Sequence, residues 1–181
     1  MIEFKRKEDS AITMAELMLP SHSNFGGKVH GGYILSLMDQ IAYACAAKHA
    51  NAYAVTASVN RVDFINPVEV GELLTLKASI NFVGNTSVVV GIRVESENIH
   101  TGEVKHCNSS YITMVAKNGE GKNVKVPGLI LETEADIRRF VKSIKRQEHQ
   151  REREAEFHEA DFSSGKYLDL LKDFRVKYEG K

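Results

Sequence analysis

A mixed α+β domain, one long helix against an antiparallel sheet with a helical extension, is predicted by three features of this 181-residue chain. Apolar residues recur at helical spacing between about His30 and about His49. Four runs rich in Val, Ile, Thr and aromatic residues follow, up to Lys117, with turn signals between them. Beyond Pro127 the chain becomes helical in pattern and densely charged.

The elements read in order as follows. Residues 11–19 are mostly apolar and stop at Pro20, which predicts a first strand. Residues 21–32 carry four glycines and several turn formers, and so form a loop. Ile34, Leu37, Met38, Ile41 and Cys45 then fall on one helical face. Small alanines cover much of the rest, so this helix is expected to be buried on most sides. Asp39 is the one formal charge between Lys28 and Lys48, which makes it conspicuous. Strands are expected at 52–64, 71–83, 85–98 and 103–117, separated by Asn66-Pro67, Gly84-Asn85 and Thr101-Gly102. Their close spacing argues for an antiparallel meander within a five- or six-stranded sheet. Thr133 is placed to cap a last helix whose apolar face holds Ile137, Phe140, Val141 and Ile144. Residues 145–156 are almost all charged and run into solvent. Tyr167, Leu168, Leu170 and Leu171 suffice for a short docked helix.

Composition excludes several roles. Lys+Arg and Asp+Glu balance at 24 each, so no overall field favours nucleic acid or an anionic membrane. Cys45 and Cys107 sit among apolar residues without C-x-x-C spacing and read as buried thiols. His100 and His106 lack metal-ligand spacing, and no residue set signals a metal or a redox cofactor. The opening MIEFKRKEDS is charged where a signal peptide needs an apolar run, and no segment is long enough to span a bilayer. A cytoplasmic protein is the expectation.

Asn24, His30-Gly31-Gly32 and Asp39 stand in the pattern N-x5-H-G-G-x6-D. With "SVNRVDFINPVEVGELLTLKASI" and "TGEVKHCNSSYITMVA", the chain resembles hotdog-fold acyl-CoA thioesterases, in particular the cytosolic acyl-CoA hydrolase branch. The resemblance implies a long central helix wrapped by an antiparallel sheet. It runs from about residue 8 to about residue 120, so a thioesterase domain at 8–120 and a charged helical extension at 121–181 are expected. It implies hydrolysis of acyl-CoA, with coenzyme A as part of the substrate and not a cofactor.

Thioester hydrolysis needs a polarised carbonyl, an attacking water or carboxylate, and a proton acceptor. Amides at a helix start lack intrahelical partners and sit at the positive end of the dipole. Gly31 N–H, joined by Gly32, is therefore assigned to the developing oxyanion, and the Asn24 amide to a second hydrogen bond. His30 is expected to hold the loop. Asp39 serves as general base or as nucleophile, and Ser58 matches the position where related thioesterases keep an orienting hydroxyl, with Thr56 also close by. Asp39 lies eight residues past Gly31, about 12 Å along a helix, too far for one carbonyl to touch both. Two antiparallel helices meeting across a two-fold axis would join them. The resemblance agrees, implying composite sites in a homodimer and a trimer of dimers. Arg61, Asn85, Thr86, Ser87 and Arg93 are candidates for coenzyme A contacts, and relatives often carry Arg or Lys at the position of Asn85. Tyr33, Leu37 and Val59 are candidates for an acyl tunnel. Two other functions compete: an acyl-thioester hydratase or dehydratase, and a non-catalytic acyl-CoA binding domain. Hotdog dehydratases place a Pro-Gly-rich loop before the helix, and this chain has no proline between Pro20 and Pro67.

Overall fold

A five-stranded antiparallel sheet curls around one long helix in the computed structural model, which describes residues 3–160 and 164–179. In chain order the elements are β1 (Phe4–Arg6), α1 (Lys7–Ser10), β2 (Ile12–Leu17), α2 (Gly31–Ala50), β3 (Tyr53–Val59), β4 (Leu73–Val83), β5 (Ser87–Glu97), β6 (Val104–Lys117), β7 (Gly128–Ile130), α3 (Glu134–Glu159) and α4 (Ser164–Leu171). The strand order is β2-β4-β5-β6-β3, so β2 and β3 are the edges. Among the described residues no helix is long and apolar enough to cross a membrane.

Alternation along the strands sets the core. Leu74, Leu76, Ala78 and Ile80 of β4, Val88, Val90, Ile92 and Val94 of β5, and Ile112, Met114 and Ala116 of β6 are buried on the inner face. Ile34, Leu37, Met38, Ile41 and Cys45 of α2 meet them and are buried, as their spacing predicts. The helix starts one residue past His30 and ends at Asn51, whose φ of 51° is the left-handed conformation that asparagine tolerates at a helix end. The strand expected over 52–64 ends at Val59, and residues 60–65 continue as irregular chain.

Burial of α2 on most sides is not what the fold provides. Gly32, Leu35, Ser36, Asp39, Gln40 and Tyr43 form an exposed stripe along it. The sheet closes around one flank of the helix only.

A feature absent from the sequence reading is the parallel pairing of β1 with β7, Phe4 opposite Gly128. Nearby, Thr133 and Asp136 cap α3 reciprocally: Asp136 N–H donates to Thr133 Oγ1 at 3.2 Å and Thr133 N–H to Asp136 Oδ2 at 3.1 Å. Lys7 Nζ donates to Asp136 at 2.7 Å, and this bond, the largest influence, holds the Asp136 carboxyl down at a pKa of about 2. The chain accordingly divides into units Met1–Ser143 and Ile144–Lys181. The first unit extends past the 8–120 span at both ends, because β1, β7 and the start of α3 pack with the domain. In the second, residues 151–158 are exposed, and the ion pair Lys145–Glu148 and a His149–Glu152 contact at 3.3 Å run along the helix.

His49, fully buried near the end of α2, ties these segments together. Its Nε2 lies 3.1 Å from the Pro127 carbonyl, which only accepts, so Nε2 carries the proton and Nδ1 accepts from the Ser10 hydroxyl at 3.3 Å. Burial pushes its pKa below the ordinary 6.5, against the pull of the Pro127 carbonyl. As pH falls, the unfolded chain therefore takes up the proton first, and stability present above about 6.5 is lost on the way down. Urea midpoints should drop between pH 7.5 and 5.5, and His49→Gln should flatten that slope. The lowered carboxylates Asp136, Glu72 and Glu95 lose their share only in the more acid range. An unchanged slope in the variant would assign the effect elsewhere.

Candidate active site

The loop before α2 is built around Asn24. Its Oδ1 accepts from Gly26 N–H at 2.8 Å and Lys28 N–H at 3.2 Å, while its backbone N–H donates to the Lys28 carbonyl at 2.7 Å. Gly27, at φ 76°, allows the tight return. The oxygen end of the side chain is thus committed to the loop. The amide end finds no partner among the described residues and remains a donor.

At the helix start, His30 is the N-cap, and its Nδ1 accepts from Gly32 N–H at 2.9 Å. The Gly32 amide, expected to join Gly31 at the oxyanion, is thus already engaged by His30. Gly31 N–H finds no partner among the described residues. A Cβ at Gly31 would stand 3.3 Å from the Phe64 ring, so glycine keeps this amide accessible beneath that ring. The loop is held from behind. His30 N–H donates to the His22 carbonyl at 2.8 Å, and the His22 ring stacks on Tyr33 at 4.0 Å between centroids. Tyr33 in turn donates its hydroxyl to Glu16 of β2 at 2.5 Å.

Asp39 lies on the exposed stripe of α2, and Thr56 of β3 donates its hydroxyl to Asp39 Oδ1 at 2.5 Å. Ser58 does not fill this role. A bulge between Thr56 and Ser58 inserts Ala57, so Thr56 pairs with inward Met114 whereas Ser58 pairs with Thr113 on the alternate face. Strict two-residue alternation would have put both hydroxyls on the side of α2; the bulge removes one.

Two groups of candidate residues thus stand apart on one chain. The donors Gly31 and Asn24 stand at the start of α2, and the Asp39–Thr56 pair lies about 12 Å further along by helical rise. The nucleotide candidates join neither. Arg93 projects from the outer face of the sheet, where its Nε donates to Glu95 at 2.7 Å beside the Lys77–Glu95 pair. Arg61 is exposed and donates to Asp63 at 2.8 Å. Asn85 and Thr86 accept through their carbonyls from Val126 and Ala116, and the Ser87 carbonyl accepts from Gly84 N–H. Asn85 borders a cleft of about 640 Å³ near Ala50, Asn51 and Lys125, at the far end of α2. Of the tunnel candidates, Leu37 is a core residue, Tyr33 is partly buried and Val59 is exposed.

The profile of the thioesterase superfamily matches residues 26–103. Protein VdlD of Helicobacter pylori is 46% identical over 137 residues, covering 76% of this chain and 78% of that protein. The crystal structure of an apo-hexameric acyl-CoA thioesterase is similar with a TM-score of 0.82 and 37% identity, over 85% of this chain and 99% of that one. An acyl-CoA hydrolase from Staphylococcus aureus, solved with butyryl coenzyme A, coenzyme A and coenzyme A disulfide, gives a TM-score of 0.78 and 27% identity over 93% of this chain and 99% of that one. Its solved alanine variants replace one Asn, one Asp and one Thr, at the same spacing as Asn24, Asp39 and Thr56 here. The chain belongs to the thioesterase superfamily and has its hotdog fold.

Proposed function

We propose that this chain is an acyl-CoA thioesterase that hydrolyses the thioester to a free acid and coenzyme A, at a site shared by two subunits. The carrying observation is the Asp39–Thr56 pair, set on an exposed helix stripe at a distance from the amide donors of its own chain. The kinship with acyl-CoA hydrolases, one of them solved with butyryl coenzyme A, supports the substrate class.

The subunit arrangement follows from two unfinished surfaces. Edge strand β3 exposes Tyr53, Thr56, Ala57 and Val59, beside the exposed stripe of α2. A two-fold axis that pairs the β3 edges and the α2 stripes covers both at once. It carries each Asp39 to the Gly31 and Asn24 of its mate. Three such dimers make a hexamer, the assembly of the apo-hexameric relative.

In this arrangement Gly31 N–H and the Asn24 amide donate to the thioester oxygen. Thr56 holds Oδ1 of Asp39, and Oδ2 takes a proton from water as its oxygen adds to the carbonyl carbon. The tetrahedral intermediate, its oxyanion on Gly31 and Asn24, collapses with cleavage of the C–S bond. The thiolate of coenzyme A leaves and is protonated. The positive end of α2 favours the oxyanion, and the carboxylate is kept at a distance from that charge until the mate supplies it.

Asp39→Asn should lower kcat for thiol release by about 10³-fold, and Asn24→Ala by about 10²-fold. Thr56→Ala should cost about tenfold, while Ser58→Ala changes kcat by less than about twofold. Equal losses for the Thr56 and Ser58 variants would remove the orienting role of Thr56. Sharing between subunits has its own test. Coexpressed Asp39→Ala and Asn24→Ala chains form hybrid dimers with one intact site, so random assembly should restore about a quarter of wild-type activity. No recovery in proven hybrids would place both groups in the same chain.

A further inference from the structure

The inner face of the sheet is apolar over most of its length and turns polar at one end. Along β6 the inward residues run Ala116, Met114, Ile112, Ser110 and Asn108. A bulge opposite Val94 and Glu95 then leaves Cys107 buried beside Asn108. Asn108 is fully buried, yet neither its Oδ1 nor its Nδ2 has a hydrogen-bond partner among the described residues. Ser110 is also fully buried, and its hydroxyl reaches the Asn60 carbonyl only at 3.5 Å. A buried amide with both ends unpaired is destabilising, and a leucine would fill similar space without that penalty. The side chain calls for a partner that the folded chain does not supply.

Its location says what that partner is. Residues 60–66 run along the edge of β6 here: Ile65 N–H donates to the Cys107 carbonyl at 2.9 Å, and Asn66 Nδ2 to the His106 carbonyl at 2.8 Å. The same segment lays the Phe64 ring over Gly31, the oxyanion donor. Asn108 and Gly31 are thus both flanked by this one segment. The site is neutral as well. Lys105, three residues earlier on the strand, is already paired with Glu72 at 2.8 Å. An amide and a hydroxyl suit an alcohol or ketone oxygen; a carboxylate would need an unpaired cation.

We propose that Asn108, with Ser110, is a specificity-determining site for an oxygen-bearing acyl group, a hydroxyacyl or oxoacyl thioester of coenzyme A. The acyl chain passes beneath residues 60–66, and its oxygen pairs with the Asn108 amide. This rests on the thioesterase reading above, with the thioester carbonyl at Gly31. A site built to hydrogen-bond a substrate oxygen discriminates strongly against the analogue lacking it, because its polar groups are then buried unpaired.

The test compares kcat/KM for butyryl-CoA with 3-hydroxybutyryl-, 4-hydroxybutyryl- and acetoacetyl-CoA, in the wild type, Asn108→Leu and Asn108→Ser. The wild type should favour at least one oxygenated thioester by about tenfold. Asn108→Leu should bring that ratio to about one while butyryl-CoA turnover persists, with a Tm equal to or above wild type. Asn108→Ser, which keeps a hydroxyl in less volume, should retain part of the preference and covers the case in which the leucine variant fails to fold. A wild-type ratio near one, or a preference that survives Asn108→Leu, overturns the proposal. Such a result with a lowered Tm would mark Asn108 as a structural group satisfied by a buried water. Failure of the wild type on all four thioesters would instead overturn the functional reading itself.

Discussion

A helix laid across one face of a curled sheet buries only part of its circumference, and this constraint organises the rest of the molecule. The residues of α2 that meet the sheet are fixed as core: Ile34, Leu37, Met38, Ile41 and Cys45. The residues opposite them, from Gly32 through Asp39 to Tyr43, face outward, and Asp39 is the one charge among them. A monomer adapted to water would place several charges on such a stripe. A single carboxylate amid small and apolar groups, tied by Thr56, fits a surface meant to be covered with one polar function kept. The separation of that carboxylate from the amide of Gly31 follows from helical rise alone, and this is the geometric basis of the proposed shared site.

Such a site requires a helix that neither frays nor slides. At its start, His30 takes the Gly32 amide and is itself held by the His22 carbonyl, so the free donor left at the helix start is Gly31. At its end, Lys5 donates to the Lys48 carbonyl at 3.0 Å and to Asn51 at 2.8 Å, while His49 engages Ser10 and the Pro127 carbonyl. The start is therefore capped locally by His30, and the end is held by groups from distant segments. The terminal strands β1 and β7, small as they are, belong to this clamp, which is why the compact unit reaches beyond the thioesterase-like span.

The sequence made the helix and the sheet legible because each leaves a local period. The i, i+3, i+4, i+7 pattern identified the buried face of α2, and Thr133 announced the cap of α3. What escaped notice was non-local. Three-residue strands more than a hundred residues apart carry no periodic signal of their own, so β1–β7 pairing was not visible. The bulge at Ala57 sets Thr56, and not Ser58, against Asp39, since one inserted residue inverts every side chain beyond it. The engagement of the Gly32 amide is likewise a matter of side-chain geometry, since the His30 ring turns its Nδ1 onto it from two residues away. Arg93 stands between Ile92 and Val94, both buried, so alternation alone sends it to the outer face.

Polarity along the inner face of the sheet follows the direction of α2. Toward the Asn51 end, Val88, Val90, Met114 and Ala116 give a dry, well-packed wall, and the hydrogen bonds there anchor the helix. Toward the Gly31 end, Ser96, Asn108 and Ser110 are buried instead. Ser96 is accounted for, since it donates to Glu72 in a network that also holds Lys105. Asn108 is not. A core selected for stability alone has no use for an amide with four unmet hydrogen-bonding positions, whereas a pocket that recognises a polar ligand must hold such groups unpaired until the ligand arrives. The dry end of the helix and the polar end thus answer to different demands, one to hold the helix still and the other to recognise what is brought to it.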